Sequence, residues 1–253
     1  MKWRFVIMKR SLWVILCCLT PGTDGFLCRV TAADAPSVTI ALGSRKGSAT
    51  PSRQGFTHTG GGNIDVAQPS PDTVVITMTG VAVAGAHPCK DSTATLTFDL
   101  MQNLEVVFEK PEIKKAKLTV EARVIGLLRS HEKGGGSATI AAPGQATVLD
   151  GDNKALVTIG LPVHSVCGGE NESVNNRETP EGVSIKAGKY ILHQAFAVSA
   201  THPRSLKLCK AASAEFAPDP ALDPLWISAF EPFHGAAKKD FGFQVTIKVA
   251  PEQ

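Results

Sequence analysis

Past its amino terminus, this chain has no apolar run near the roughly 20 residues that a membrane-spanning helix needs. It also lacks surplus charge once its first 35 residues are set aside. The whole chain carries 26 basic and 23 acidic residues. Lys2, Arg4, Lys9, Arg10 and Arg29 fall in residues 1–35 together with Asp24 and Asp34, which leaves 26 − 5 = 21 basic and 23 − 2 = 21 acidic residues. A neutral protein has no cationic field to draw nucleic acid or anionic lipid toward it. No basic run is interleaved with aromatics either, so nucleic acid is not expected as a partner.

Aromatic residues are scarce. Beyond residue 35 there remain Trp226, Tyr190 and nine Phe. Most of these Phe sit in apolar strand patterns, which leaves few rings for stacking on sugars. The one aromatic-rich segment outside a clean alternation is Trp226-Ile-Ser-Ala-Phe230-Glu-Pro-Phe233. It reads as a cap on the core or as an exposed patch for a partner.

Catalytic signatures are missing as well. There is no Gly-x-Ser-x-Gly elbow, and His131-Glu132 is followed by Lys-Gly-Gly, which breaks the zinc-protease helix pattern. The runs Gly60–Gly62 and Gly134–Gly136 lack the Lys-Ser/Thr of a phosphate cradle. Asp150-Gly-Asp-Asn153 has no closing Glu for a calcium loop and reads as a hairpin turn. A triad dispersed over a β scaffold is defined by geometry, not by spacing, so a hydrolase stays as a third reading.

What is present begins with a leader. Basic residues precede the apolar run Ser11–Thr20, the n-region and h-region of a secretory signal peptide. Met8 makes an alternative start. Ala33-Asp-Ala35 before Pro36 is a candidate cleavage site, with cuts after Ala33 or nearer Gly25 also open. The expected layout is a signal peptide over residues 1–35 and a mature protein over residues 36–253. The expected location is secreted, periplasmic or cell-surface, with the membrane met only during export. Leu precedes both Cys17 and Cys28, which excludes a lipidated cysteine.

The mature chain is rich in period-two alternation, the mark of a sheet with one dry and one wet face. Expected strands are Ser37–Leu42, Thr73–Thr79, Ala94–Leu100, Leu104–Glu109 and Ala116–Leu128. They continue with Ser137–Ala141, Ala146–Leu149, Ala155–Leu161, Val183–Lys186, Tyr190–Ser199, Ala211–Phe216 and Phe241–Val249. Met101-Gln-Asn103 is the expected hairpin turn between two of them. Gly43–Gly62 and Cys167–Pro180 lack apolar periodicity and are expected as long loops. Ala217–Leu225 is too proline-rich for a regular element. No amphipathic helix emerges. The expectation is an all-β fold, an antiparallel β-sandwich that is Ig-like or jelly-roll-like, in one large domain. Two small domains split near residues 149–153 are the alternative.

Three cysteines follow the leader: Cys89, Cys167 and Cys209. Of the three pairings open in an oxidising compartment, Cys89 with Cys209 is preferred, because both open strand-like segments. Each cysteine has a histidine upstream, giving His87, Cys89, His164, Cys167, His202 and Cys209 as an alternative zinc or copper set. The blue-copper pattern fails, since no His or Met follows any of the three at the right spacing. Zinc lacks its pair-plus-pair spacing. Asn171-Glu-Ser173 is a glycosylation acceptor triplet in an expected loop.

The residues therefore point to an exported, non-enzymatic protein without a cofactor. It would act as a binding or structural component of the envelope or extracellular space, with a protein or envelope polymer as partner. A metal-binding sandwich and a hydrolase are the alternatives.

Overall fold

Alternating apolar and polar side chains can satisfy burial and solvation together only on a pleated sheet. In the computed structural model, which describes residues 37–130, 136–204, 211–215 and 242–252, this pattern yields thirteen strands and, among those residues, no helix. The strands are β1 (Val38–Gln54), β2 (Thr57–Ser70), β3 (Thr73–Gly85), β4 (Ser92–Phe108), β5 (Ala116–Ser130), β6 (Ser137–Leu149) and β7 (Ala155–Gly160). They continue as β8 (Ser165–Cys167), β9 (Asn171–Glu178), β10 (Val183–Ile185), β11 (Gly188–His202), β12 (Ala211–Glu215) and β13 (Gly242–Pro251).

All pairings are antiparallel and form two sheets. The first runs β1-β4-β11-β6-β7, and β8 extends the β7 lane against the far end of β6. In the second, β2 flanks β3, β12 and β13 share the lane between β3 and β5, and β9 and β10 share the lane beyond β5. The inner faces of both sheets bury one continuous core. At its centre Phe196 stacks on Phe98 of its own sheet at 6.0 Å and on Phe243 of the opposite sheet at 5.3 Å. Such ring pairs add about 0.5–1.5 kcal/mol each beyond the area they bury.

Four expectations need correction. Ala94–Leu100 and Leu104–Glu109 are not two strands of a hairpin but parts of β4, which is buried at every second residue from Ser92 to Val106. Met101-Gln-Asn103 makes no turn because the buried Gln102 keeps the alternation in phase. Its amide donates to Gly43 O at 3.1 Å and Asn103 O at 2.8 Å, so a polar residue is satisfied inside. Likewise Ser137–Ala141 and Ala146–Leu149 are one strand, β6, whose ladder to β11 shifts register near Ala142, where Pro143 lies. Bulges are where proline is tolerated within a strand.

The supposed loop Gly43–Gly62 is mostly β1 and β2, joined at Gly55-Phe56. The supposed loop Cys167–Pro180 holds the end of β8 and all of β9, including the acceptor triplet. These segments lie at sheet edges, with much of their surface exposed to water. Edge strands of this kind need no dry stripe, so no apolar period marks them. The Asp150–Asn153 turn is as expected: Asp150 Oδ1 accepts from the backbone N–H of Asp152 and Lys154, and Asn153 takes φ 62°.

Strands on either side of residues 149–153 interleave in both sheets. β6 lies beside β11, and β5 lies beside β9 and β13, so a cut at 149–153 would pass through both ladders. The leader expected over residues 1–35, the His131-Glu132 pair and the Trp226–Phe233 segment lie outside the described residues.

Candidate functional site

The lower half of the first sheet is where the described surface departs from ordinary. Inward positions on β4 are even-numbered, so Met101, Asn103, Glu105 and Val107 face outward. Five large hydrophobic side chains are exposed among the described residues; Met101 and Val107 are two of them and face outward here on β4, whereas Leu42, a third, pairs with the inward Leu104 and is exposed on the other face. Ile191 of β11 and Leu149 of β6 stand half-buried beside Met101 and Val107. Clustered apolar exposure of this kind marks a contact surface, whereas single exposed residues do not.

A bulge shapes the same region. Register between β1 and β4 slips between Leu42 and Arg45. Gln102 ties the displaced Gly43 carbonyl, and Asn103 Nδ2 donates to Ser44 Oγ at 2.8 Å. These bonds hold open a cleft of about 400 Å³ lined by Leu42, Ser44, Asn103, Ile191 and the cross-strand pair Glu105 and Lys189. The volume is within the range of small-ligand sites. Tyr190 borders it, its hydroxyl donating to Lys186 O at 2.7 Å. Burial pushes the Tyr190 phenol above its ordinary value, the Lys186 hydrogen bond opposes this, and the Asp150 charge reinforces it.

Above the cleft, His193 Nε2 meets Asp99 Oδ1 at 2.8 Å. Both side chains are exposed on the open sheet. Among the described residues, no strand packs over this outward face of the first sheet.

The described residues of the expected metal set do not converge. Among the described residues, no three His, Cys, Asp or Glu side chains are grouped to hold a metal. His87 accepts the Cys89 backbone N–H at 3.1 Å, a local turn contact. His164 clamps the two sheets together at one edge: its Nδ1 lies 2.7 Å from Glu172 Oε1 of β9, and Asn176 Nδ2 engages its Nε2. Both ring nitrogens are thus occupied and neither is left to activate Cys167. His202 is buried, with Nδ1 donating to Pro203 O at 2.7 Å. Cys89 and Cys167 are exposed free thiols at the same end of the molecule. Cys167 ends β8, and Cys89 lies in the connection between β3 and β4. Cys209, the preferred disulfide partner of Cys89, lies outside the described residues.

Sequence reasoning missed the bulge cleft and the apolar cluster. The only available signal was Met101 and Val107 standing out of phase with the buried Leu100, Leu104 and Val106, and the turn assigned to Met101–Asn103 obscured it.

No protein-family model matches this chain, and no curated protein matches it. Among solved structures, it is similar to the enzymatically active domain of bacteriophage CBA120 tailspike protein 4, at 10% identity and a TM-score of 0.18, covering 62% of this chain and 18% of that one. It is also similar to a structure of the infectious bursal disease virus Gx strain, at 8% identity and a TM-score of 0.17, covering 82% of this chain and 37% of that one. The chain thus spans well under half of either, and at these scores neither likeness bears on function.

Proposed function

We propose that this chain is an exported, non-enzymatic β-sandwich of jelly-roll type that acts by contact, as a binding or structural component of the cell envelope or extracellular space. The carrying observation is the outward apolar set of Met101 and Val107 with the half-buried Ile191 and Leu149 on the first sheet, beside a braced cleft. Its apolar side chains, with no exposed aromatic ring beside them among the described residues, favour a protein partner over a sugar polymer. The basic and apolar pattern of residues 1–20 supports export.

Connectivity supports the jelly-roll reading. β6 pairs with β7, β5 with β9, β4 with β11, and β3 with β13. These nested pairs alternate between the two sheets, as a long hairpin does when it wraps into a roll. β1 and β2 add one further strand to each sheet.

The test pairs Met101→Glu and Val107→Glu in one variant. Both positions face water, so the fold should hold, and circular dichroism checks that it does. Envelope material from the native host should retain the parent protein on co-sedimentation and lose the variant. Equal retention of the two, or substrate turnover abolished by a single His or Asp substitution, would defeat the reading.

A further inference from the structure

The bulge cleft carries two opposite charges that do not neutralise each other. It reaches from Gly43 and Ser44 on β1, across β4 and β11, to Gly151 in the turn after β6. Glu105 of β4 and Lys189 of β11 are partners in the ladder between those strands, and both are exposed. The ion pairs among the described residues are His164 with Glu172, Arg177 with Glu121 and His193 with Asp99. Glu105 and Lys189 therefore stand side by side without joining. No hydrogen bond to another described residue occupies either head. The nearby Asp150 carboxylate is engaged in its own turn, where it accepts from the backbone N–H of Asp152 and Lys154.

The rest of the lining is held in place by the bulge. A Cβ at Gly43 would stand 3.0 Å from Asn103 Cβ, so glycine lets the bulge approach β4 closely. Asn103 Nδ2 is spent on Ser44 Oγ at 2.8 Å, which leaves Asn103 Oδ1 as an acceptor fixed in the cleft. Ala41 lies across from Glu105 on β1, and Ile191 lies two residues beyond Lys189 on β11. Both line the cleft and add apolar surface to the same face.

We propose that this cleft binds a small zwitterion with an aliphatic body, an α-amino acid or a dipeptide with both ends free. Glu105 accepts from its ammonium group, and Lys189 donates to its carboxylate. Charge-assisted bonds of this kind are the stronger class of hydrogen bond. Residues directly opposed across a ladder hold their Cβ atoms about 5 Å apart, so both heads reach one small molecule. Asn103 Oδ1 accepts a further N–H, and Ile191 and Ala41 pack on the aliphatic side chain. The volume of about 400 Å³ admits a ligand of this size. The inference does not rest on a protein partner at the open sheet face.

Leucine and the dipeptide Ala-Leu are the probes, each titrated into the full chain by calorimetry at neutral pH. At least one should bind, and N-acetylation or C-amidation of that probe should weaken it by about tenfold or more. Glu105→Gln should abolish the effect of acetylation and keep that of amidation, and Lys189→Met should do the converse. Both side chains face water, and circular dichroism checks that the variants fold. The blocked probes test the parent chain without any variant. Tighter leucine identifies a free amino acid as the source of the ligand, and tighter Ala-Leu a peptide. No binding of either probe at millimolar concentration overturns the proposal. So does equal affinity of free and blocked forms, or a blocking effect that survives both substitutions.

Discussion

Gln194 is the side chain least suited to its surroundings. It is 0% exposed on the inner face of β11, and neither its amide nitrogen nor its oxygen has a hydrogen-bond partner among the described residues. Each unsatisfied buried polar atom carries a desolvation cost, and an apolar residue of the same shape removes it. Gln194→Met should therefore stabilise the protein by about 1 kcal/mol or more, read from the urea midpoint. A clear loss of stability would mean that the carboxamide is satisfied after all. Tyr190 offers a second test, because it is the only tyrosine of the chain. Its folded-state value is raised above the ordinary 10.0, chiefly by burial. The neutral phenol is the form the fold prefers. Its contribution is complete below the ordinary value and is lost as pH rises through the raised one. Tyrosinate absorbance should thus appear at higher pH in the folded protein than in urea. Coincident titrations would remove the case for burial as its cause.

Among the elements, β4 and its bulged neighbour β1 show how one residue serves both fold and site. Gln102 keeps β4 continuous and secures Gly43, 59 residues away in sequence. Gln102→Ala leaves the Gly43 carbonyl without that donor and should cost roughly 1–3 kcal/mol. The same change should weaken partner retention beyond what stability alone explains, since the cleft loses its brace. Normal retention by folded Gln102→Ala protein would separate the bulge from binding. Legibility at this scale followed burial. β5 and β13 were visible because one face of each is dry and the other wet. β1 and β9 were not, because strands at the sheet edges expose much of their length and their polar, glycine-bearing sequences imitate loops. Met101-Gln-Asn103 misled for the opposite reason: a polar residue was buried on bonds to a strand far away in the chain.

At the scale of the molecule, the nested pairs join distant parts of the sequence, and the last strand lies between β3 and β5. Unfolding followed by circular dichroism and by aromatic absorbance should give one coincident cooperative transition. Two separated transitions would favour two domains split near residues 149–153. Proteolytic nicking in the Asp150–Asn153 turn should leave two fragments that remain associated under native conditions, since strands from both fragments alternate in each sheet.

Local alternation alone determined that this chain builds sheets and which faces of β3, β5, β11 and β13 turn inward, because side-chain direction in a strand reverses at every residue. Tertiary structure decided what alternation does not encode. It set which strands are neighbours, where β1 bulges against β4, and that β12 and β13 are one lane entered twice. Those outcomes rest on hydrogen bonds and packing between residues far apart in sequence, and no local pattern carries them.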